Sequence, residues 1–248
     1  NLQSINELLN YQFVEGDICD EDLVSKNLFD FQPDAIVHFA AESHVDRSID
    51  GPMAFVETNI IGTATLLNAS KNYLEARIQN PKCNKFRFLN VSTDEVYGSL
   101  GAEGFFKETT PYDPSSPYSA SKASSDHLAR AWHRTYGFPA IITNCSNNYG
   151  PFQFPEKLIP LMIVNCLNEK PLPVFGQGLN VRDWLFVEDH CDAIYSVLQN
   201  GIIGETYNIG GNNEIKNIDI VNTICSTLDE LRPIVDGSSY SELINYVV

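Results

Sequence analysis

The sequence predicts an α/β fold, a parallel sheet with helices on both faces joined to a smaller second lobe. Short apolar runs alternate with amphipathic stretches along most of the 248 residues, the pattern of strands buried on both faces and connected by helices. The predicted strands of the first part end in polar clusters, namely Gly16-Asp17, Ala41-Glu42-Ser43-His44, Ser92-Thr93-Asp94-Glu95 and Ser146-Asn147-Asn148. From residue 151 onward the loops are longer and richer in Gly and Pro, which marks the smaller lobe.

Taken in order, residues 1–10 read as a polar helical stretch and 12–15 as a first strand. A helix over 20–29 follows, with Asp17 placed to help cap it. The apolar runs 34–39, 86–92 and 140–145 predict central strands, and Tyr207-Asn-Ile-Gly a short one. Amphipathic spacing predicts helices over 56–76, 118–136, 155–168, 187–199 and 218–231. The loop Pro111-Tyr-Asp-Pro114-Ser-Ser-Pro117 ends where a helix can begin, so Tyr118 sits at a helix mouth. Residues 1–150 are expected to form one domain and 151–248 mainly a second, with about 183–201 packing back on the first. In an open parallel sheet the carboxyl ends of the strands line the ligand crevice, and the four polar clusters are expected to converge there. No Gly-rich phosphate loop follows any strand. The chain is therefore expected to be an internal piece lacking a first βαβ unit, with Tyr246-Val-Val248 an interrupted strand.

An apolar content of 43% is that of a globular protein, and the length suffices for a large core. The formal charge of −16, from 32 acidic and 16 basic residues, argues against nonspecific binding to nucleic acid or an anionic membrane. A phosphate-bearing small molecule is still compatible, because one arginine and a few backbone amides suffice to hold it. Apolar runs such as Ala35-Ile-Val-His-Phe-Ala-Ala41 are far too short to span a bilayer, and no signal peptide is expected. The six cysteines form no C-x-x-C pair and sit mostly in apolar segments; they are expected to be reduced and buried, in a cytoplasmic protein without a metal site. His44, His127, His133 and His190 are expected to be structural.

Chemistry enters with Tyr118-Ser-Ala-Ser-Lys122, which puts a phenol and an ammonium one helical turn apart on the same face. Taken alone the spacing is weak evidence, because a surface helix with one lysine gives it too. Moving a phenol from about 10 to about 7 takes roughly 4 kcal/mol of differential stabilisation, which nearby cations in a poorly solvated cleft supply. Such a tyrosine suits removal of a hydroxyl proton. The adjacent Asp94 and Glu95 add two carboxyl groups, and the chain must turn after Ser92 for both to reach one substrate.

Together the motifs Ala40-Ala-Glu-Ser-His-Val-Asp-Arg-Ser48, Ser92-Thr-Asp-Glu-Val-Tyr-Gly98, Tyr118-Ser-Ala-Ser-Lys122, Asn144-Cys-Ser-Asn-Asn-Tyr-Gly-Pro151, Pro155-Glu-Lys-Leu-Ile-Pro160 and Gly176-Gln-Gly-Leu-Asn-Val-Arg-Asp-Trp184 resemble the dTDP-glucose 4,6-dehydratase family of the extended short-chain dehydrogenases/reductases. The resemblance holds in consistent order from about residue 12 to the end and implies a Rossmann-like NAD-binding domain with a sugar-nucleotide lobe. It implies oxidation of dTDP-glucose at carbon 4, loss of water across carbons 5 and 6, and hydride return to carbon 6, with NAD unchanged overall. Tyr118 would take the 4-hydroxyl proton beside Lys122, Thr93 would bond the carbon 4 oxygen, Glu95 would remove the carbon 5 proton and Asp94 would protonate the leaving hydroxyl. Asp94 must stay protonated for that, which needs a raised pKa. By the same resemblance Asp17, Ile18, Phe39, Ala40, Ala41, Ser43, Thr58, Ser92 and Asn148, with Tyr118 and Lys122, would contact NAD. Ser43, Thr93, Asn147, Lys157, Leu158, Pro173, Val174, Phe175, Arg182 and Asn217 would hold the substrate. A homodimer through 56–76 and 118–136 is implied as well. The family's Gly-rich first unit and its C-terminal part have no counterpart here. Sibling epimerases, decarboxylases and the GDP-mannose dehydratases are the near alternatives, and a silent sugar-nucleotide-binding module the distant one; two adjacent carboxyls favour elimination.

Overall fold

The central sheet is built from four parallel strands, β1 (Ala35–His38), β2 (Arg87–Thr93), β3 (Ala140–Cys145) and β7 (Thr206–Ile209), in the order β1-β2-β3-β7. The computed structural model describes residues 2, 5, 7–77, 85–101 and 104–247. The alternation along β2 explains its burial on both sides. Phe88 joins Leu67, Tyr73, Phe86, Phe138 and Ile142 in one apolar cluster, while Leu89 and Val91 join Ile141 and Ile194 in another. Each fully buried aromatic or aliphatic side chain contributes about 1.5–3 kcal/mol. The first cluster lies under α1 (Glu21–Phe31), α4 (Thr63–Ala76) and α5 (Pro117–Tyr136). The second is covered by α7 (Val187–Asn200) through Ile194, Val197 and Leu198.

Two compact units divide the chain: residues 1–145 with 192–209, and residues 146–191 with 210–248. The second contains a three-stranded sheet in the order β4-β6-β8, made of β4 (Asn147–Tyr149), β6 (Val181–Phe186) and β8 (Glu214–Lys216), with β6 parallel to β4 and antiparallel to β8. A parallel pair joins β5 (Leu172–Phe175) to β9 (Ile244–Val247). Its core gathers Met162 and Cys166 of α6 (Leu158–Leu167), Leu172 and Val174 of β5, Val221 and Cys225 of α8 (Asn217–Leu231), and Tyr240.

Several expectations are corrected. Residues 12–15 carry no strand, because among the described residues no neighbouring strand offers them a ladder. The first ten residues show turns where they are described, not a helix. The segment 56–76 is not one α-helix. α2 (Val45–Asp50) and α3 (Pro52–Phe55) precede it, and a π-helical stretch, Val56–Gly62, leads into α4. α6 starts at Leu158, after turns that include a left-handed Phe152. The strands of the second unit are short and irregularly patterned, so periodicity missed all but the terminal one; its last residue, Val248, lies outside the described residues. The five described cysteines are free thiols. Cys166 and Cys225 are buried, whereas Cys191 is exposed on α7 and Cys19 and Cys145 are half-buried; Cys83 lies outside the described residues.

Candidate active site

The polar end of β2 is shaped by a change of helix type. The strand runs through Thr93, and a 3₁₀ turn, Asp94–Tyr97, begins at once with Thr93 as its cap, its hydroxyl accepting from the Glu95 amide at 3.3 Å. Gly98 ends the turn at φ +84°, where a side chain would be strained and its Cβ would lie 2.3 Å from the Asp113 carbonyl oxygen. Asp94 and Glu95 therefore leave a tight turn instead of opposite faces of a strand. The turn required by the sequence falls one residue later than Ser92.

α5 brings the phenol and the ammonium. Ser116 and Ser119 form a reciprocal capping box and Pro117 occupies the first turn, so the helix starts rigidly one residue before Tyr118. Tyr118 is buried and edge-on to Phe55, with the Thr93 hydroxyl near enough to act on its pKa. Burial first, then the charges of Glu95 and Asp94 and the Cys145 thiol, push its pKa up, against the pull of Thr93. Lys122 is buried and donates from Nζ to the Val91 carbonyl oxygen at 2.8 Å. Burial lowers its pKa, and the charge of Asp126 offsets part of that. Thr93, Asp94, Glu95, Tyr118 and Lys122 thus gather at the carboxyl end of β2. The lysine reaches the backbone of β2.

The other predicted residues of the first unit have the following surroundings. Phe39, Ala40 and Ser43 are exposed past the end of β1, with Ala41 half-buried. The Asn59 amide braces this segment, accepting from the Glu42 N–H at 2.8 Å and donating to the Glu42 carbonyl at 2.9 Å and to the Ser121 hydroxyl at 2.8 Å. Thr58 is half-buried on the π-helical stretch. Asp17 accepts from the Cys19 amide at 2.8 Å, whereas the cap of α1 is Asp20. Ile18 packs on Gly62, where any Cβ would meet it at 2.5 Å. Ser92 is buried, its hydroxyl spent on Asp126 at 2.9 Å.

In the second unit Asn148 is locked: its Oδ1 pairs with His190 Nδ1 at 2.7 Å and its Nδ2 donates to the Ser146 carbonyl at 2.9 Å. Asn147 opposes Trp184 in the β4–β6 ladder. Arg182 is exposed on β6 opposite Ile215 of β8, and the neighbouring Asp183 carboxylate ties down the Gly211 and Asn213 amides at 2.7 Å each. Asn217 starts α8, while Lys157 caps α6 and Leu158 begins it, packed on the core. On β5 the side chain of Val174 belongs to the core, and Pro173 and Phe175 lie on the opposite face with Phe175 exposed. Buried Asp126 and Asn90 join half-buried Tyr112 and Arg130 in a polar cluster that the sequence reading passed over. The one signal for it is that Asp126 continues the Tyr118, Lys122 spacing by another turn.

The sequence model of the GDP-mannose 4,6 dehydratase family matches residues 1–244. A probable dTDP-glucose 4,6-dehydratase of Sinorhizobium fredii is 57% identical over 247 residues, covering 100% of this chain and 70% of that protein. The chain belongs to the dTDP-glucose 4,6-dehydratase family. Solved structures agree: a dTDP-glucose 4,6-dehydratase from Bacillus anthracis in complex with NAD superposes with a TM-score of 0.83 at 47% identity, over 99% of this chain and 70% of that one. DesIV, the dTDP-glucose 4,6-dehydratase of Streptomyces venezuelae with NAD and TYD bound, gives 0.86 at 45% identity with the same coverage. The Rossmann-like sheet expected for this family is the four-stranded parallel sheet of the first unit.

Proposed function

We propose that the protein dehydrates dTDP-glucose to dTDP-4-keto-6-deoxyglucose with NAD as a cofactor that is restored in each cycle. The observation that carries this reading is the assembly of Thr93, Asp94 and Glu95 around the buried Tyr118 phenol, with Lys122 one turn along the same helix. An NAD fits the residues present. Ala40 and Ser43 are small and exposed beyond β1, and Lys122 sets an ammonium at the adjacent strand. When bound, NAD supplies the acceptor and donor of hydride.

The side chains divide the proton chemistry. Tyr118 takes the proton of the 4-hydroxyl, and Thr93 holds the carbon 4 oxygen as it becomes a carbonyl. That carbonyl acidifies carbon 5, from which Glu95 removes a proton. Asp94 gives a proton to the 6-hydroxyl, which leaves as water. General acid or base help is typically worth 10² to 10⁴ in rate, and an elimination added to a redox step calls for two such groups. An epimerase has no hydroxyl to expel and no use for the Asp94, Glu95 couplet. Asp17, Ile18, Phe39, Ala41, Thr58, Ser92 and Asn148 border the cofactor in this reading, the buried Ser92 through its backbone. Asn147, Lys157, Leu158, Pro173, Val174, Phe175, Arg182 and Asn217 take the sugar nucleotide, Val174 by its backbone and Arg182 as a guanidinium suited to phosphate. The protein works in the cytoplasm as a homodimer. Among the described residues no helix is long and apolar enough to cross a membrane.

The test is incubation of the purified protein with dTDP-glucose and NAD in deuterated water. A 4-keto-6-deoxy product carrying deuterium at carbon 5 is expected; inversion at carbon 4 without loss of water would instead make the protein an epimerase.

A further inference from the structure

Asp126 stands one helical turn beyond Lys122 and is completely buried, a costly place for a carboxylate unless charge and hydrogen bonds compensate. Its Oδ1 accepts from Asn90 Nδ2 at 2.8 Å. Its Oδ2 accepts from the Ser92 hydroxyl at 2.9 Å, the Tyr112 hydroxyl at 2.9 Å and Asn144 Nδ2 at 3.4 Å. Asn90 and Ser92 flank Val91, whose carbonyl oxygen receives Lys122 Nζ at 2.8 Å. One turn of α5 thus grips three successive residues of β2, immediately before Thr93, Asp94 and Glu95.

Burial raises the pKa of Asp126, and the bonds around it work against that. Arg130 Nη2 donates to the Tyr112 hydroxyl at 2.7 Å, and a guanidinium accepts nothing, so the proton of Tyr112 goes to Asp126. Every partner of the carboxyl group donates to it, which is the environment of a carboxylate. The charge of Lys122 lowers the pKa of Asp126 and that of Asp126 raises the pKa of Lys122, each partly offsetting the other's burial.

We infer that Asp126 is a positioning residue for the dehydration, acting through Lys122: its carboxylate keeps the buried lysine an ammonium and holds it at the tip of β2. The inference rests on the reading of Lys122 as the cation of the site. Other titratable groups face the pair. His38 of β1 and Cys145 of β3 face Lys122, while Tyr97 of the 3₁₀ turn, Tyr112 of the proline-rich loop and Arg130 of α5 face Asp126. His38 is held neutral by burial, with a pKa down to about 3, so it supplies no cation that could replace the lysine.

The test compares pH profiles of kcat for the purified protein and the variants Asp126→Asn, Asp126→Glu and Lys122→Met. The alkaline limb reports loss of the lysine's proton. Since the charge of Asp126 raises that pKa, Asp126→Asn is expected to move the limb to lower pH by about one unit or more. Asp126→Glu keeps the charge and restores the limb to within about half a unit. In the Lys122→Met background Asp126→Asn should change kcat less than about twofold, because the group it acts through is gone. An unmoved limb with multiplicative losses would mean that Asp126 only fastens α5 to β2, and overturns the inference. A normal kcat in Lys122→Met sinks instead the role given to Lys122. Should Asp126→Asn fail to fold, carboxyl ¹³C NMR decides. One aspartate signal that responds to Lys122→Met is expected at the ionised position at pH 7 in the parent protein, and finding it at the protonated position overturns the inference.

Discussion

At the scale of single residues the site is defined by what surrounds Tyr118. Burial and the neighbouring carboxylates hold its proton on, so the base proposed for the first oxidation is a phenol that resists ionisation. The sign is testable through Glu95, whose charge raises the phenol's pKa. In Glu95→Gln the acid limb of the first oxidation, followed as formation of reduced cofactor in a single turnover, is expected at lower pH than in the parent. A limb that stays in place would separate Glu95 from the phenol. Asp94 has a different task in the proposed reaction, so Asp94→Asn should leave oxidation at carbon 4 intact while water loss slows by at least about tenfold. Rapid-quench analysis of the sugar resolves the two steps, and equal slowing of both would end the division of labour. That Thr93, Asp94 and Glu95 stand at a strand end and Tyr118 and Lys122 one turn apart on a helix was legible in the sequence, because helical spacing and a strand-end cluster are local properties. The partner of Lys122 was not: the Val91 carbonyl lies on another element, and no local pattern announces it.

At the scale of elements, the 3₁₀ turn and the β1–α4 contact carry the clearest consequences. Gly98 has positive φ and no room for a Cβ against the Asp113 carbonyl. Gly98→Ala is expected to cost roughly 1–3 kcal/mol, read from the denaturant midpoint, and to lower activity with it. His38 on β1 pairs through Nε2 with the Thr63 hydroxyl of α4 at 3.0 Å, and burial takes its pKa down to about 3. An unfolded histidine gains its proton near pH 6.5, so stability present above that pH drains away as pH falls toward 3, by up to about 1.4 kcal/mol per pH unit. His38→Gln should flatten the fall of stability across that window, measured by chemical denaturation at several pH values. The same elements show how far periodicity reaches. α1, α5, α7 and α8 follow apolar spacing and caps, and their predicted spans lie within a residue or two of those found. Residues 12–15 have strand composition and no strand, since a ladder needs a neighbour that composition does not supply.

At the scale of the whole molecule, exposed apolar side chains such as Ile49, Met53 and Ile61 cluster in sequence on α2, α3 and the π-helical stretch. That surface fits the proposed homodimer. Sedimentation of the parent protein is expected to give twice the chain mass, and Ile61→Glu to shift it toward the monomer; a parent that sediments as a monomer would refute the pairing. The chain covers 70% of the length of its relatives. By itself the sequence determined the α/β class and the family, because alternating burial, caps and contiguous motifs are written in short stretches of chain. Only the tertiary structure decided how the 3₁₀ turn aims Asp94 and Glu95, that Val174 is spent on packing, and that Asp126 stands behind Lys122. Those outcomes depend on residues far apart in sequence meeting in a low-dielectric interior, where each buried charge and hydrogen-bonding group must find its partner.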